Sequence, residues 1–85
     1  MATKKNHMVK ALSSLSVNQN ARVRSISDSC LPYVRKRLCA LGFCNAHCVT
    51  VIRKAPLGCP IEVEILDTRV MLRKTEAEHI IIEKV

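Results

Sequence analysis

The run from Ile61 to Ile65 alternates apolar and acidic residues, and it constrains the fold more than any other feature of the sequence. Its three branched aliphatic side chains point one way and its two glutamates the other, the pattern of a strand with one buried face. Tyr33 and Phe43 are the only aromatic residues, although hydrophobic residues make up 48% of the chain. The core must therefore consist of Val, Ile and Leu, which favours β structure.

Similar patterns predict further strands on both sides of this run. In the first predicted strand, Ile26 falls out of phase with the alternation. The last predicted strand lies at the C-terminal end of the sequence. The predicted strands cover residues 21–27, 47–54, 60–66, 69–74 and 80–85. We expect a mainly β fold with one short helix, in which about five strands curl into a small, partly closed barrel that buries its core face and its edges.

A single helix interrupts the strands after Pro32. Pro32 suits a first helical turn, and Gly42 suits the left-handed position that ends a helix. Apolar residues recur between them at helical spacing, as Val34, Leu38 and Leu41. The spacing predicts a helix of roughly ten residues.

Short polar residues mark the predicted caps and turns. Asp28 or Ser29 can accept hydrogen bonds from free amides near the helix start, and Thr75 is placed to cap a single later turn. Asp67 and Thr68 are expected to form a tight turn, without the glycine that two-residue hairpins favour.

Length and charge indicate one small domain with a basic side. We expect residues 1–10 to form a flexible basic arm and residues 11–85 a single domain, because 85 residues can bury only one core. Residues 1–54 carry ten Lys or Arg against one acidic residue, whereas residues 55–85 carry four against six. The net charge of +7 favours an acidic partner. Charge alone does not show whether that partner is a protein, a nucleic acid or an anionic membrane.

The chain shows no pattern of a membrane or exported protein. Its longest uncharged stretch, residues 38–52, is too short to span a bilayer, and serines interrupt the segment that follows the first lysines. We therefore expect a cytoplasmic protein. Its five cysteines are an odd number without framework spacing, so reduced thiols are expected.

Three segments, "RKRLCALGF", "APLGCPIEV" and "LRKTEAEHI", occur in an order and spacing that resembles the FeoA family, and the resemblance runs from about residue 11 to 84. It implies an SH3-like barrel. It also implies a non-enzymatic accessory protein of bacterial ferrous iron uptake, which docks on the cytoplasmic GTPase region of the transporter FeoB and modulates transport or GTP hydrolysis. Such a protein would lie at the inner face of the membrane through its partner, and it can also form a homodimer.

The "APLGCP" segment is expected to be a rigid loop between two strands. Pro56 pre-sets φ, Gly58 can adopt positive φ, and Pro60 keeps Cys59 extended. Turn chemistry accounts for every residue except Leu57, so the loop either sets strand register or also forms a contact surface. The predicted partner-binding residues are Arg35, Arg37, Leu41, Phe43, Pro56, Leu57 and Pro60.

A transition-metal sensor or carrier is the second hypothesis. Cys44, His47 and Cys48 lie within five residues, and thiolate and imidazole ligands suit Fe²⁺ or Zn²⁺. A fourth ligand would come from Cys39, Cys59 or a second molecule. No cofactor is otherwise required. If the next strand already includes His47, its side chain and that of Cys48 point to opposite faces.

Nucleic-acid binding is the third hypothesis and enzymatic activity is not expected. The basic cluster at residues 35–37 could contact phosphates, but stacking on a sheet needs aromatics that the predicted strands lack, so nucleic acid is not the expected partner. Residues 29–61 contain no Asp or Glu to orient His47, and the two glycines are isolated, which argues against a catalytic dyad and a phosphate-binding loop.

Overall fold

Alternating apolar and polar residues form one antiparallel sheet in the computed structural model, which describes residues 9–84. The strands are β1 (Val9–Ala11), β2 (Asn20–Ile26), β3 (Cys48–Lys54), β4 (Ile61–Ile65), β5 (Thr68–Leu72) and β6 (Ile80–Lys84). The helices are a 3-10 turn (Leu12–Ser14), α1 (Pro32–Ala40) and α2 (Lys74–Ala77). The strand order is β1-β6-β2-β3-β4-β5, and each neighbouring pair is antiparallel. The expected mainly β fold with one short helix is confirmed.

One face of the sheet forms the core. In β4 the three aliphatic residues are buried and the two glutamates half-buried, as the alternation predicts. The core cluster of the described residues is aliphatic except for Phe43 and Cys30, and no polar or charged residue is buried among them. The largest fully buried side chains are Phe43, Leu12, Leu15, Leu38, Ile61, Ile65, Leu72, Ile80, Ile82, Val23, Val49 and Val51.

A β-bulge explains the irregular pattern of β2. The pairing of β2 with β6 shifts register between Val23 and Ser25, so that Ile26 faces Ile80. The extra residue turns the Ile26 side chain into the core, where it is 6% exposed. The apparent phase error in the sequence is therefore the mark of the bulge.

Strand β1 is absent from the sequence prediction. Val9 and Lys10 pair with Glu83 and Ile82 of β6, so the sheet includes residues that we assigned to the arm. A strand of three residues shows too little alternation to be recognised. The rest of the predicted arm, residues 1–8, lies outside the described residues.

The hairpin between β4 and β5 turns one residue earlier than predicted. Leu66 and Asp67 both have positive φ, at 54° and 61°, and Ile65 pairs with Thr68. Positive φ at both central residues defines a two-residue turn whose twist suits a hairpin, here made without glycine.

The helix starts also differ from the predictions. Leu31 is the N-cap of α1 and makes no side-chain capping bond, so neither Asp28 nor Ser29 fills that role. At α2, Glu76 rather than Thr75 supplies the cap, because its Oε1 accepts from the Arg73 amide at 2.8 Å. Neither helix is long and apolar enough to cross a membrane within residues 9–84.

A Schellman motif ends α1 and returns the chain to the core. The Gly42 amide donates to the Cys39 carbonyl and the Phe43 amide to the Leu38 carbonyl, both at 3.0 Å. Gly42 has φ of +107°, as expected for the residue after the helix. Phe43 and Leu38 are both fully buried, which supplies the apolar contact that accompanies this motif.

We predict that Gly42→Ala lowers the free energy of unfolding by about 1–3 kcal/mol, because an L residue is strained at this φ. The new Cβ would also lie 2.9 Å from Leu66 Cδ1. Gly58→Ala is the matched control, since its φ of +79° is nearer the left-handed helical region and its Cβ would meet nothing within 4 Å. Urea unfolding should show the larger loss for Gly42→Ala, and equal losses would contradict this assignment.

Candidate functional site

The loop between β3 and β4 is closed by its own backbone. The Gly58 amide donates to the Ala55 carbonyl at 2.7 Å, and the Ala55 amide donates to the Pro60 carbonyl at 3.0 Å. Gly58 has positive φ, as predicted, and the peptide bond between Cys59 and Pro60 is cis. Leu57 is held at the tip of this loop with 91% of its surface exposed.

A shallow cleft of about 290 Å³ lies beside the loop. The exposed Met71 of β5 belongs to its wall, so the loop and the sheet contribute apolar surface together. The lining residues are Arg53, Lys54, Ala55, Pro56, Pro60, Glu62 and Met71. We call the exposed apolar residues Pro56, Leu57, Pro60 and Met71 the loop patch.

Basic side chains at the cleft are held by neighbours. Arg53 forms an ion pair with Glu62, its cross-strand partner, with a nitrogen–oxygen distance of 3.1 Å. The Lys54 Nζ donates to the Ser13 carbonyl at 3.1 Å. Lys54 therefore keeps its positive charge beside the loop patch, whereas the charge of Arg53 is offset by Glu62.

The two arginines predicted to bind a partner also attach α1 to the rest of the fold, and partner binding by Arg35 and Arg37 stays a prediction. One guanidinium nitrogen of Arg35 donates to the Ile26 and Ser27 carbonyls, at 3.3 and 2.7 Å, and lies 4.0 Å from Asp28. Arg37 forms an ion pair with Glu76 of α2. Both side chains therefore have partners inside the molecule, which the sequence did not indicate because those partners are distant or belong to a bulged strand.

Phe43 does not belong to a contact surface. Its side chain is fully buried, and Leu41 is half-buried against the same core, so the prediction that Phe43 contributes apolar contact surface is corrected. An apolar residue directly after the glycine that ends a helix is the signal that could have revealed this role.

Helix α2 links the two predicted contact segments. The Lys74 amide donates to the Cys59 sulfur at 3.4 Å, and Glu76, two residues later, pairs with Arg37. The loop and α1 therefore contact the same short helix. The structure brings Pro56, Leu57 and Pro60 together at the surface and leaves Arg37 on the α1 side of α2.

The three predicted metal ligands are not gathered into a site. Cys44 is paired with Cys39 as a disulfide, which corrects the expectation of reduced thiols at these two positions. His47 lies just before β3, while Cys48 is its first residue and is exposed and free. Across residues 9–84, no three His, Cys, Asp or Glu side chains are grouped closely enough to hold a metal ion. Metal binding by Cys44, His47 and Cys48 stays a prediction.

Aromatic stacking on the sheet has no support in the described structure. Tyr33 is exposed on α1 and Phe43 is buried, and neither lies in a strand. A surface for single-stranded nucleic acid would need aromatic residues on an open sheet face.

Comparison with known proteins agrees with this architecture. The family model for the FeoA domain matches residues 10–84. FeoA from Chlorobium tepidum is 37% identical, with a TM-score of 0.80 over 88% of this chain and 70% of that one. FeoA from Stenotrophomonas maltophilia, solved with zinc and described as a prokaryotic SH3 domain protein proposed to activate ferrous iron transport, is 32% identical, with a TM-score of 0.74 over 85% and 87%.

A manganese-dependent transcriptional repressor shares the fold. It is 18% identical, with a TM-score of 0.83 over 95% of this chain and 44% of that one. A search of curated protein sequences found no significant match. The expected SH3-like fold is confirmed.

We predict very different losses of stability for two residues that the sequence assigned to one surface. Phe43→Ala should lower the free energy of unfolding by about 3–5 kcal/mol, because it opens a cavity in the core. Leu57→Ala should change it by less than about 0.5 kcal/mol, because the side chain packs against little. Denaturant unfolding measures both, and similar losses for the two variants would contradict this placement.

Proposed function

The chain belongs to the FeoA family, and from that premise we propose that it is a non-enzymatic accessory protein of bacterial ferrous iron uptake. It docks on the cytoplasmic GTPase region of FeoB and modulates transport or GTP hydrolysis. The observation that carries this proposal is the family match over residues 10–84. The protein acts in the cytoplasm, at the inner face of the membrane while its partner holds it there.

The loop patch is the docking surface that the geometry supports best. Leu57 is 91% exposed and Met71 48% exposed, and with Pro56 and Pro60 they group apolar surface at one place, as interaction sites do. The loop is braced by two backbone hydrogen bonds, so little conformational entropy is lost when a partner orders it. Apolar residues at the centre of a polar border are the usual anatomy of a protein interface.

Positive charge around the loop patch favours an acidic partner surface. Lys54 lines the cleft at the end of β3 and donates to a neutral carbonyl, so its charge is retained, whereas that of Arg53 is offset by Glu62. With a net charge of +7, the field of the whole chain adds to this local contribution. Such charges mainly raise the rate of association, and the apolar centre supplies the affinity.

An effect on GTP hydrolysis would act through the partner's own nucleotide site. Gly42 and Gly58 are the only glycines of the chain, and they lie in separate turns rather than in one phosphate-binding loop. If the protein binds one conformation of the partner's GTPase region more tightly than another, it shifts the population toward that conformation. Such a shift is sufficient to change the rate of GTP hydrolysis.

The test is an NMR titration of isotope-labelled protein with the isolated cytoplasmic GTPase region of FeoB, in chelator and at moderate salt. We expect shifts that cluster on residues 55–60 and Met71. Leu57→Ser should weaken binding by roughly tenfold or more, as expected for a central apolar anchor.

Leu66→Ser is the matched control. Leu66 is 55% exposed and lies at the opposite end of β4 from the loop, so the same chemical change there should leave affinity unaltered. Equal weakening by both variants would show that the loop patch is not the docking face. A spectrum that does not move would overturn docking on this region of the transporter.

A further inference from the structure

Cys39 and Cys44 lie on either side of the Schellman motif that ends α1. Their Cα atoms are 4.7 Å apart and the structure joins them as a disulfide. This distance lies within the range of Cα separations found in disulfides. The other cysteines of the described residues are free: Cys30 is buried, and Cys48 and Cys59 are exposed.

The backbone, not the bridge, brings these two cysteines together. The hydrogen bonds from Gly42 to Cys39 and from Phe43 to Leu38 form the turn between them, and the buried pair Leu38 and Phe43 anchors it. Because these contacts do not involve sulfur, the two thiols stay adjacent when they are reduced. A folded turn of this kind gives one thiol a high effective concentration at the other.

The pair is poorly placed to act as a structural staple. Only five positions separate the two residues, and a bridge over so short a segment removes little entropy from the unfolded chain. The core cluster already holds both ends of the segment, since Leu38 precedes it and Val49 follows it at full burial. A bridge at this position therefore serves a chemical role better than a mechanical one.

The two sulfurs differ in solvent exposure and therefore in the role that each can play. Cys44 is exposed, whereas Cys39 is half-buried and packs against the core. An incoming disulfide can therefore reach Cys44 first. Cys39 is then positioned to attack the sulfur of Cys44 from within the protein.

We propose that Cys39 and Cys44 form a reversible thiol oxidation site that exchanges with low-molecular-weight disulfides of the glutathione class. The Cys44 thiolate attacks such a disulfide, forms a mixed disulfide and releases one thiolate. The Cys39 thiolate then attacks the Cys44 sulfur, forms the internal bridge and releases the second thiolate. Two electrons pass from the protein to the small disulfide, and the two protons lost by the cysteines are taken up by the released thiolates.

The reverse reaction with reduced glutathione restores both cysteines. The proposal concerns the chain's own thiols and does not depend on the proposed transporter partner. Cys48, exposed like Cys44 and four residues later, is expected to form only a mixed disulfide, because the motif holds no thiol beside it.

The test equilibrates the reduced full chain, without oxygen and in chelator, in glutathione buffers of increasing oxidised fraction. Samples are quenched in acid, alkylated and digested with trypsin, and one peptide, residues 38–53, then contains Cys39, Cys44 and Cys48. After oxidising buffers we expect this peptide to carry no alkyl group on Cys39 or Cys44 and to have two hydrogen atoms fewer than it would with both of these thiols free. Fragment ions should place the bridge between Cys39 and Cys44. Excess reduced glutathione should restore both alkyl groups.

Cys44→Ser and Cys48→Ser are the matched variants, since both change an exposed cysteine and should leave the fold intact. Cys44→Ser should abolish the internal bridge. Cys48→Ser should not change the oxidised fraction of glutathione at which half of the chains carry the bridge. The proposal is overturned if Cys39 and Cys44 are both alkylated in buffers that modify Cys48 and Cys59. A bridge between Cys44 and Cys48, or one that reduced glutathione fails to open, would also overturn it.

Discussion

Burial of one face of the antiparallel sheet determines where every loop of the molecule lies. Because successive side chains of a strand point to opposite faces, the aliphatic residues of β3, β4 and β6 all reach the same core once the strands pair. The core is almost purely aliphatic, so its stability comes from close packing of many branched side chains rather than from a few large rings. The sheet sets where each loop begins and ends, and contacts such as the backbone hydrogen bonds of the β3–β4 loop then shape it.

The short helix α2 contacts both segments that the sequence assigned to partner binding. It pairs with Arg37 of α1 through Glu76, and its first amide donates to the Cys59 sulfur of the β3–β4 loop. A guanidinium that looks free in the sequence thus has a partner 39 residues away. At the loop patch, by contrast, apolar side chains are exposed on a loop that two backbone hydrogen bonds close.

The end of α1 combines three roles in seven residues. Its glycine permits the reversal of the chain, Phe43 fills the core, and the same turn places Cys39 beside Cys44. These roles are compatible because the motif is held by backbone hydrogen bonds and apolar packing, which do not depend on the oxidation state of sulfur. A thiol pair can therefore react at the surface while the residues between its members keep the fold together.

The sequence by itself determined the features that depend on local pattern. Alternation in β4, helical spacing in α1 and the positive φ of Gly42 and Gly58 follow from side-chain period and backbone sterics, which neighbouring residues decide. Only the tertiary structure decided which residues meet across the sheet. The bulge that buries Ile26, the addition of β1 to β6 and the removal of Phe43 from the surface all depend on partners distant in the chain. Such contacts produce no repeating pattern in the neighbouring sequence. They stabilise the fold only once the strands and the helix pack together.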